Sequence, residues 1–197
     1  MQIRSAEFFT SACSLSDCPG WDLPEFALIG RSNVGKSSLI NHLLRRQGLA
    51  KVSGTPGKTR LINLFRVNAS WALVDLPGYG YAKTSKEEKF GFLQSAGDYL
   101  QSRPNLRRVL VLIDSRHPPQ RIDLEFVEWL SGVGRDFSLV FTKIDKQSAA
   151  KTSASIALFH EALSRFMTEM PETLRSSTRS HDGRGEILRL IGRELAS

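Results

Sequence analysis

The stretch GRSNVGKSSLIN, Gly30 to Asn41, decides the fold prediction. Its glycines at positions 30 and 35, followed by Lys36 and Ser37, match the pattern G-x-x-x-x-G-K-[ST]. The apolar run 26–30 precedes it and the helical pattern 36–44 follows it, which is the strand–loop–helix context that the pattern requires. The glycines let successive backbone N–H groups point inward, and the start of the helix adds partial positive charge. The stretch therefore predicts a loop that binds phosphate groups.

Within this loop, we expect Lys36 to reach the β- and γ-phosphates of a nucleotide and the Ser37 hydroxyl to ligate Mg²⁺. The alternative is a glycine-containing turn that binds nothing, and the lysine, the serine and the context all disfavour it. The loop alone does not separate a kinase, an ATPase and a GTPase, because the base is recognised elsewhere.

Outward from the loop, short apolar segments alternate with amphipathic ones, which predicts an α/β domain with a mostly parallel sheet of about six strands, one antiparallel strand, and helices on both faces. The predicted strands span residues 3–10, 26–30, 61–67, 71–75, 107–114, 137–145 and 173–177. The predicted helices span residues 36–44, 86–101, 119–130, 153–170 and 185–195.

Composition limits the function classes. Hydrophobic residues make up 41% and charged residues 24% of the 197 residues, as in ordinary globular proteins. No apolar run approaches the roughly 18 residues that span a bilayer, and the N-terminus lacks the order of a secretory signal, so we expect a cytoplasmic protein without a membrane span. Cys13 and Cys18 are expected to be reduced thiols. The net charge of +7 favours polyanions such as RNA but does not establish a partner.

Thr142-Lys143-Ile144-Asp145 ends a predicted buried strand and is the candidate for base recognition. The Asp145 carboxylate can accept hydrogen bonds from the N1–H and 2-amino groups of guanine, a donor pair that adenine lacks. The Lys143 stem can cover one face of the base. The alternative is an exposed Lys and Asp in a loop, which the position after the phosphate loop disfavours.

Asp75-Leu76-Pro77-Gly78 follows another predicted strand. Asp75 can hold a metal-bound water, and the Gly78 N–H can meet the γ-phosphate, a contact that exists only when the third phosphate does. A plain Pro-Gly turn is the alternative. In the long loop before residue 61, Thr59 is the preferred further Mg²⁺ ligand and Thr55 its competitor. Ser176-Ser177-Thr178 is placed to contact the guanine oxygen through a backbone N–H.

These elements occur in the order of the translation-factor-like GTPases. The fuller phrases GRSNVGKSSLIN, TPGKTRLINLF, DLPGYGYAK and TKIDK resemble the EngB (YihA/YsxC) family of bacterial GTPases, from about residue 25 onward. The resemblance implies a three-layer P-loop GTPase (Ras-like) fold, with a GTP-binding domain over residues 25–197 and residues 1–24 as an extension packed on it. It also implies GTP and GDP binding with Mg²⁺, slow GTP hydrolysis, and a role in large ribosomal subunit assembly, cell division and septation.

Carried onto this sequence, the resemblance implies a set of nucleotide contacts and a partner. The contacts are Gly30, Arg31, Ser32, Asn33, Val34, Gly35, Lys36, Ser37, Gly57, Lys58, Thr59, Arg60, Leu61, Asp75, Leu76, Pro77, Gly78, Thr142, Lys143, Ile144, Asp145, Ser176, Ser177 and Thr178, with Ser37, Thr59 and Asp75 serving the metal. The partner is the large ribosomal subunit or its precursor, through rRNA and ribosomal proteins. The basic segments 45–51 and 103–108 are candidates for rRNA contact, and nothing demands a dimer, so we expect a monomer.

The catalytic groups predicted from these motifs are Lys36, Thr59, Gly78 and Asn33. Ras-like enzymes orient the attacking water with a glutamine just after the glycine of D-x-x-G, but this chain has Tyr79 there, which predicts slow intrinsic hydrolysis. Asn33 either helps to hold a K⁺ ion near the β- and γ-phosphates, as in similar GTPases, or only braces the loop. A nucleotide-stabilised ribosome-binding module with incidental hydrolysis remains a second interpretation. A nucleotide kinase is disfavoured by the TKID and DLPG motifs.

Overall fold

Across residues 1–51, 61–80 and 86–197, which the computed structural model describes, the chain forms seven strands and five helices in three layers. The strands are β1 (Ala6–Ala12), β2 (Glu25–Gly30), β3 (Ile62–Val67), β4 (Trp71–Asp75), β5 (Leu106–Asp114), β6 (Phe137–Thr142) and β7 (Glu172–Arg175). The helices are α1 (Lys36–Leu44), α2 (Lys86–Ser102), α3 (Arg121–Val133), α4 (Ala149–Leu163) and α5 (Arg184–Glu194).

The strands form one mixed sheet in the order β1-β3-β4-β2-β5-β6-β7. β3 pairs antiparallel with both β1 and β4. The other four pairs, β4–β2, β2–β5, β5–β6 and β6–β7, are parallel. This confirms the predicted mostly parallel sheet with one antiparallel strand. The β3–β4 connection has three residues, Asn68 to Ser70, and positive φ values of 51° at Asn68 and 52° at Ala69 let it turn tightly enough for the Ser70 N–H to donate to the Val67 carbonyl at 3.0 Å.

Two apolar cores lie on opposite faces of the sheet, because side chains of each strand alternate between its faces. In β2, Ala27 and Ile29 pack toward α2, α3 and α4, while Phe26 and Leu28 pack toward α1 and α5. The central strands β2, β4 and β6 are buried along their whole length, which explains their continuous apolar runs. The predicted helices on both faces are confirmed.

The predicted helix over residues 153–170 is wrong at both ends, since α4 spans Ala149–Leu163. The Ser148 side chain accepts a hydrogen bond from the Lys151 N–H and begins the helix early. The apolar period continues through Phe166 and Met170, but these side chains are 36% and 39% exposed. The apolar period therefore extends beyond the last helical residue, Leu163.

No helix in the described part of the chain has the length and hydropathy needed to cross a bilayer.

Candidate functional site

The predicted site residues collect at one edge of the sheet. The phosphate loop follows β2, the DLPG segment follows β4, the TKID segment begins at the end of β6, and the serine triplet follows β7. These four strands are parallel, so their carboxyl ends meet at the same edge, where α/β proteins bind their ligands. The fold therefore brings together motifs that are spread from residue 30 to residue 178 of the sequence.

The phosphate loop has the backbone that its glycines predict. Asn33 and Gly35 have φ values of 64° and 107°, and left-handed backbone of this kind turns N–H groups toward an anion. Gly35 is also the residue from which α1 begins. At Gly30, a Cβ atom would lie only 2.7 Å from the carbonyl oxygen of Leu112 in β5. Glycine is therefore the residue that fits where the chain leaves β2 and enters the phosphate loop.

Lys36 and Asp75 connect the phosphate loop to the end of β4. They form a buried ion pair, and the two residues are only 9% and 3% exposed. Ser37 follows Lys36 directly in the first turn of α1. A serine hydroxyl and a carboxylate are the hard oxygen ligands that Mg²⁺ prefers, so the donor chemistry here fits that ion.

The DLPG segment lies directly against the phosphate loop. Its Leu76 N–H donates to the Leu28 carbonyl at 3.0 Å, which continues the β4–β2 pairing beyond the strand. A Cβ atom on Gly78 would lie 2.5 Å from the Gly30 carbonyl oxygen. Only glycine allows the two segments to approach this closely, and the Gly78 backbone therefore lies at the phosphate loop.

Tyr79, at the position where Ras-like enzymes have a glutamine, is buried. Its hydroxyl donates to the Asp123 carboxylate of α3 at 3.0 Å, and its ring stacks on Phe126 at 4.3 Å between centroids. Burial, followed by the charge of Asp123, raises the pKa of Tyr79 well above its ordinary value. The tyrosine is thus a neutral side chain held by α3.

The TKID segment packs against the phosphate loop through two of its side chains. The Thr142 hydroxyl donates to the Val34 carbonyl at 2.7 Å, and the Lys143 ammonium donates to the Asn33 carbonyl at 2.5 Å. Lys143 itself has left-handed backbone, with φ of 59°. The contacts place the residues predicted to read the base beside those predicted to bind the phosphates.

Asp145 is held by the serine triplet. The Ser177 hydroxyl donates to Oδ1 of Asp145 at 2.6 Å and lowers the pKa of this carboxyl. The other oxygen, Oδ2, is buried and has no hydrogen-bond donor among the residues that the structure describes. The Lys146 ammonium lies 3.8 Å from Oδ2, beyond hydrogen-bonding distance, so this oxygen is left able to accept from a ligand that presents N–H groups.

Ser176 and Ser177 are buried, and their N–H groups donate to the carbonyls of Phe141 and Asp182. Thr178, the third residue of the triplet, is exposed.

Sequence reasoning missed Asp114, the last residue of β5. Its carboxylate accepts from the Lys143 ammonium at 2.8 Å and from the Arg116 guanidinium at 2.7 and 2.9 Å. Burial acts to raise the pKa of Asp114, but the hydrogen bonds from Arg116 and Lys143 outweigh it and lower that pKa. The sequence did contain a signal for Asp114, because the apolar run LRRVLVLID ends in this acid at the same edge of the sheet as the other site residues.

Asp123 was also missed, and it had a weaker signal. It lies in the first turn of α3, and only the folded chain brings Arg31 and Tyr79 to it.

Part of the predicted site lies outside the described residues. Gly57, Lys58, Thr59 and Arg60 fall there, as does the competitor Thr55. Leu61, the last predicted contact of that loop, directly precedes β3 and is 37% exposed.

Comparison with known proteins bears on the same region. A family model described as 50S ribosome-binding GTPase matches residues 25–143. The probable GTP-binding protein EngB of Pelotomaculum thermopropionicum is 47% identical over 193 residues, which cover 98% of this chain and 96% of the relative. That of Flavobacterium psychrophilum is 50% identical over 192 residues, covering 97% and 94% of the two chains.

Solved structures support the fold. The crystal structure of a probable GTP-binding protein engB superposes with a TM-score of 0.70 at 20% identity, over 87% of this chain and 98% of that one. Era in complex with MgGDPNP and nucleotides 1506–1542 of 16S ribosomal RNA superposes with a TM-score of 0.68 at 22% identity, over 86% of this chain and 55% of Era.

Proposed function

The chain belongs to the EngB family of GTP-binding proteins, within the ribosome-binding GTPases, and from this premise we propose that it is a slow GTPase that switches a step in large ribosomal subunit assembly. In this proposal GTP and GDP bind with Mg²⁺ at the carboxyl edge of the sheet. The contacts are those predicted from the sequence. Within the serine triplet, the contact with the guanine oxygen is assigned to Thr178, which is exposed.

Guanine recognition is carried by one observation, the buried Oδ2 of Asp145. Ser177 fixes the other oxygen of this carboxylate, so the acceptor is oriented before any ligand arrives. The N1–H and 2-amino groups of guanine supply the donors that Oδ2 lacks, and adenine does not present this pair. The contact of Lys143 with the Asn33 carbonyl supports one continuous site for base and phosphates.

Mg²⁺, when bound, neutralises charge that develops on the β- and γ-phosphate oxygens. Ser37 and Thr59 are the proposed ligands, and Asp75 is proposed to hold a water of the ion. Lys36 reaches the β- and γ-phosphates, and the Gly78 N–H meets the γ-phosphate. Asn33 is proposed to help hold K⁺ with its exposed side chain, while its carbonyl accepts from Lys143.

Slow hydrolysis is supported by Tyr79. Its hydroxyl donates to Asp123 and its ring stacks on Phe126, so the side chain that follows Gly78 is engaged by α3. A phenol engaged in this way does not orient an attacking water as a glutamine does. The same observation favours a second candidate, a nucleotide-stabilised ribosome-binding module in which hydrolysis is incidental.

The ribosomal role rests on the family description and on the net charge of +7, which suits rRNA.

The proposal includes the wider expectations from the sequence: a cytoplasmic monomer needed for cell division and septation, and a GTP-binding domain over residues 25–197 with residues 1–24 packed on it. That packing is supported by the antiparallel pairing of β1 with β3.

Nucleotide titration tests the assignment of the base. With Mg²⁺ present, the wild-type chain is expected to bind GDP well above ADP. Asp145→Asn should weaken GDP by about 100-fold, the loss expected when hydrogen bonds to a charged group are removed. It should also bind XDP better than the wild type does, because an amide can donate to the 2-oxo group.

Asp136→Asn is the matched control, since this exposed acid directly precedes β6 at the edge of the sheet opposite the site, and it should leave the GDP affinity unchanged. A wild-type preference for ADP would overturn the guanine assignment.

Turnover separates the two candidate functions. Single-turnover GTP hydrolysis is measured alone and with large-subunit particles. Acceleration by the particles supports the switch, whereas tight binding without acceleration supports the binding module. The same assay in KCl and NaCl tests Asn33, since equal rates leave only a bracing role for it.

A further inference from the structure

Arg31, Tyr79 and Asp123 meet in a cluster beside the phosphate loop. The Arg31 Nε–H lies 3.1 and 3.0 Å from the two oxygens of Asp123, and the Tyr79 hydroxyl donates to Oδ1 at 3.0 Å. The Asp123 side chain is 2% exposed and that of Arg31 is 26% exposed. Burial raises the pKa of Asp123, and Arg31 and Tyr79 act against that rise.

The three residues come from three different parts of the site. Arg31 directly follows Gly30 in the phosphate loop, and Tyr79 directly follows Gly78. Asp123 lies in the first turn of α3. The carboxylate is therefore the point through which both loops are held by one helix.

α3 also contacts the DLPG segment beyond Tyr79. A Cβ atom on Gly80 would lie 2.8 Å from Cδ1 of Ile122, the neighbour of Asp123. The Tyr79 ring stacks on Phe126 one turn further along the helix. One helix thus contacts both residues that follow Gly78.

We propose that Asp123 is a positioning residue that holds Gly78 against the phosphate loop and thereby favours the triphosphate over the diphosphate. This rests on the proposed contact of the Gly78 N–H with the γ-phosphate. A contact made only with GTP is strong only if its donor is already in place, because ordering a loop on binding opposes affinity. Without the Tyr79–Asp123 hydrogen bond, Gly78 must be ordered when GTP binds, whereas GDP does not use that contact.

The test compares the affinities of GDP and of a non-hydrolysable GTP analogue, measured by fluorescence titration of the full chain with Mg²⁺. Tyr79→Phe removes the hydroxyl and keeps the ring against Phe126. It is expected to weaken the GTP analogue by about tenfold, the scale of one lost hydrogen bond to a charged group, with GDP affinity within about twofold of the wild type. Asp123→Asn, which keeps one acceptor oxygen, should shift the ratio in the same direction.

The chain provides a matched control in Tyr99→Phe. Tyr99 is buried and donates to the carboxylate of Glu25, which also pairs with Arg103, but this cluster lies at the opposite end of β2. Tyr99→Phe should lower the Tm and leave the ratio of the two affinities unchanged.

Three results would overturn the proposal. In the first, Tyr79→Phe weakens both nucleotides equally or neither. In the second, Tyr99→Phe shifts the ratio as much as Tyr79→Phe does, which would make the effect one of general stability. In the third, the wild type binds no guanine nucleotide, and the proposed function fails with it; in the first two, guanine binding by the wild type stands and only the role of Asp123 fails.

Discussion

A buried carboxylate lies at each end of β2, and each accepts hydrogen bonds from a tyrosine and an arginine. At the amino end, Glu25 accepts from Tyr99 and Arg103. At the carboxyl end, Asp123 accepts from Tyr79 and Arg31. The residue types are the same, but the elements that they join are different.

The Glu25 cluster joins parts of the framework. Glu25 is fully buried and also accepts from the Trp21 indole at 2.6 Å, while Arg103 donates to the Pro19 carbonyl at 2.8 Å. It therefore fastens the segment before β2 to the end of α2. The Asp123 cluster instead joins two loops of the candidate site to α3. The same chemistry stabilises the framework at one end and, in our proposal, sets the preference between nucleotides at the other.

Glu25→Ala should give the largest change in stability. Removing one partner of a buried ion pair leaves the other charge uncompensated, which costs about 3–5 kcal/mol. Urea unfolding followed by circular dichroism measures this loss.

Glu125→Ala is the control for Glu25→Ala, because its pair with Arg121 is exposed to solvent, and it should leave the urea midpoint close to that of the wild type. A loss below about 1 kcal/mol for Glu25→Ala would show that the amino-end cluster does not stabilise the framework in this way.

The acid dependence of stability should distinguish two carboxylates at the site end. The pKa of Asp114 is lowered from its ordinary 3.8, so its contribution is present above that value and is lost as the pH falls through the lowered pKa. Asp114→Asn should therefore flatten the loss of stability on acidification, measured as the urea midpoint between about pH 6 and pH 2.

Asp123→Asn should act in the opposite sense in the same measurement. Burial raises the pKa of Asp123, so the folded state takes up this proton first, and the contribution of the group to stability grows as the pH falls through the raised pKa. The variant should lack that gain. Identical pH profiles for the two variants would contradict both assignments.

The smallest effect concerns the two cysteines, of which Cys18 lies close to Glu25 and Arg103. Burial, partly offset by Arg103, raises the pKa of Cys18 to about 11, whereas Cys13 is exposed. Because the thiolate is the reactive form, iodoacetamide at pH 8 should modify Cys13 at least about tenfold faster than Cys18. Mass spectrometry over time measures the two rates, and equal rates would mean that Cys18 is not shielded by the packing around Glu25.

The sequence predicted those parts of the site that depend on local patterns. The phosphate loop, the DLPG segment and the TKID segment are short, and each contains residues whose chemistry suits one ligand group. Asp114 and Asp123 escaped prediction because their partners are far away in sequence: Lys143 lies 29 residues from Asp114, and Arg31 lies 92 residues from Asp123. The end of α4 escaped because an apolar period continues past the last helical residue.

The sequence by itself determined the alternation of strands and helices, the glycines that permit left-handed backbone and close approach, and the family, since each of these depends on neighbouring residues. Only the tertiary structure decided which carboxylate meets which partner. Glu25 and Asp123 are both acids beside apolar segments, and nothing local to either assigns one to the framework and the other to the site. The physical reason is that a buried charge is stable only where distant donors converge on it, and that convergence is a property of the folded sheet.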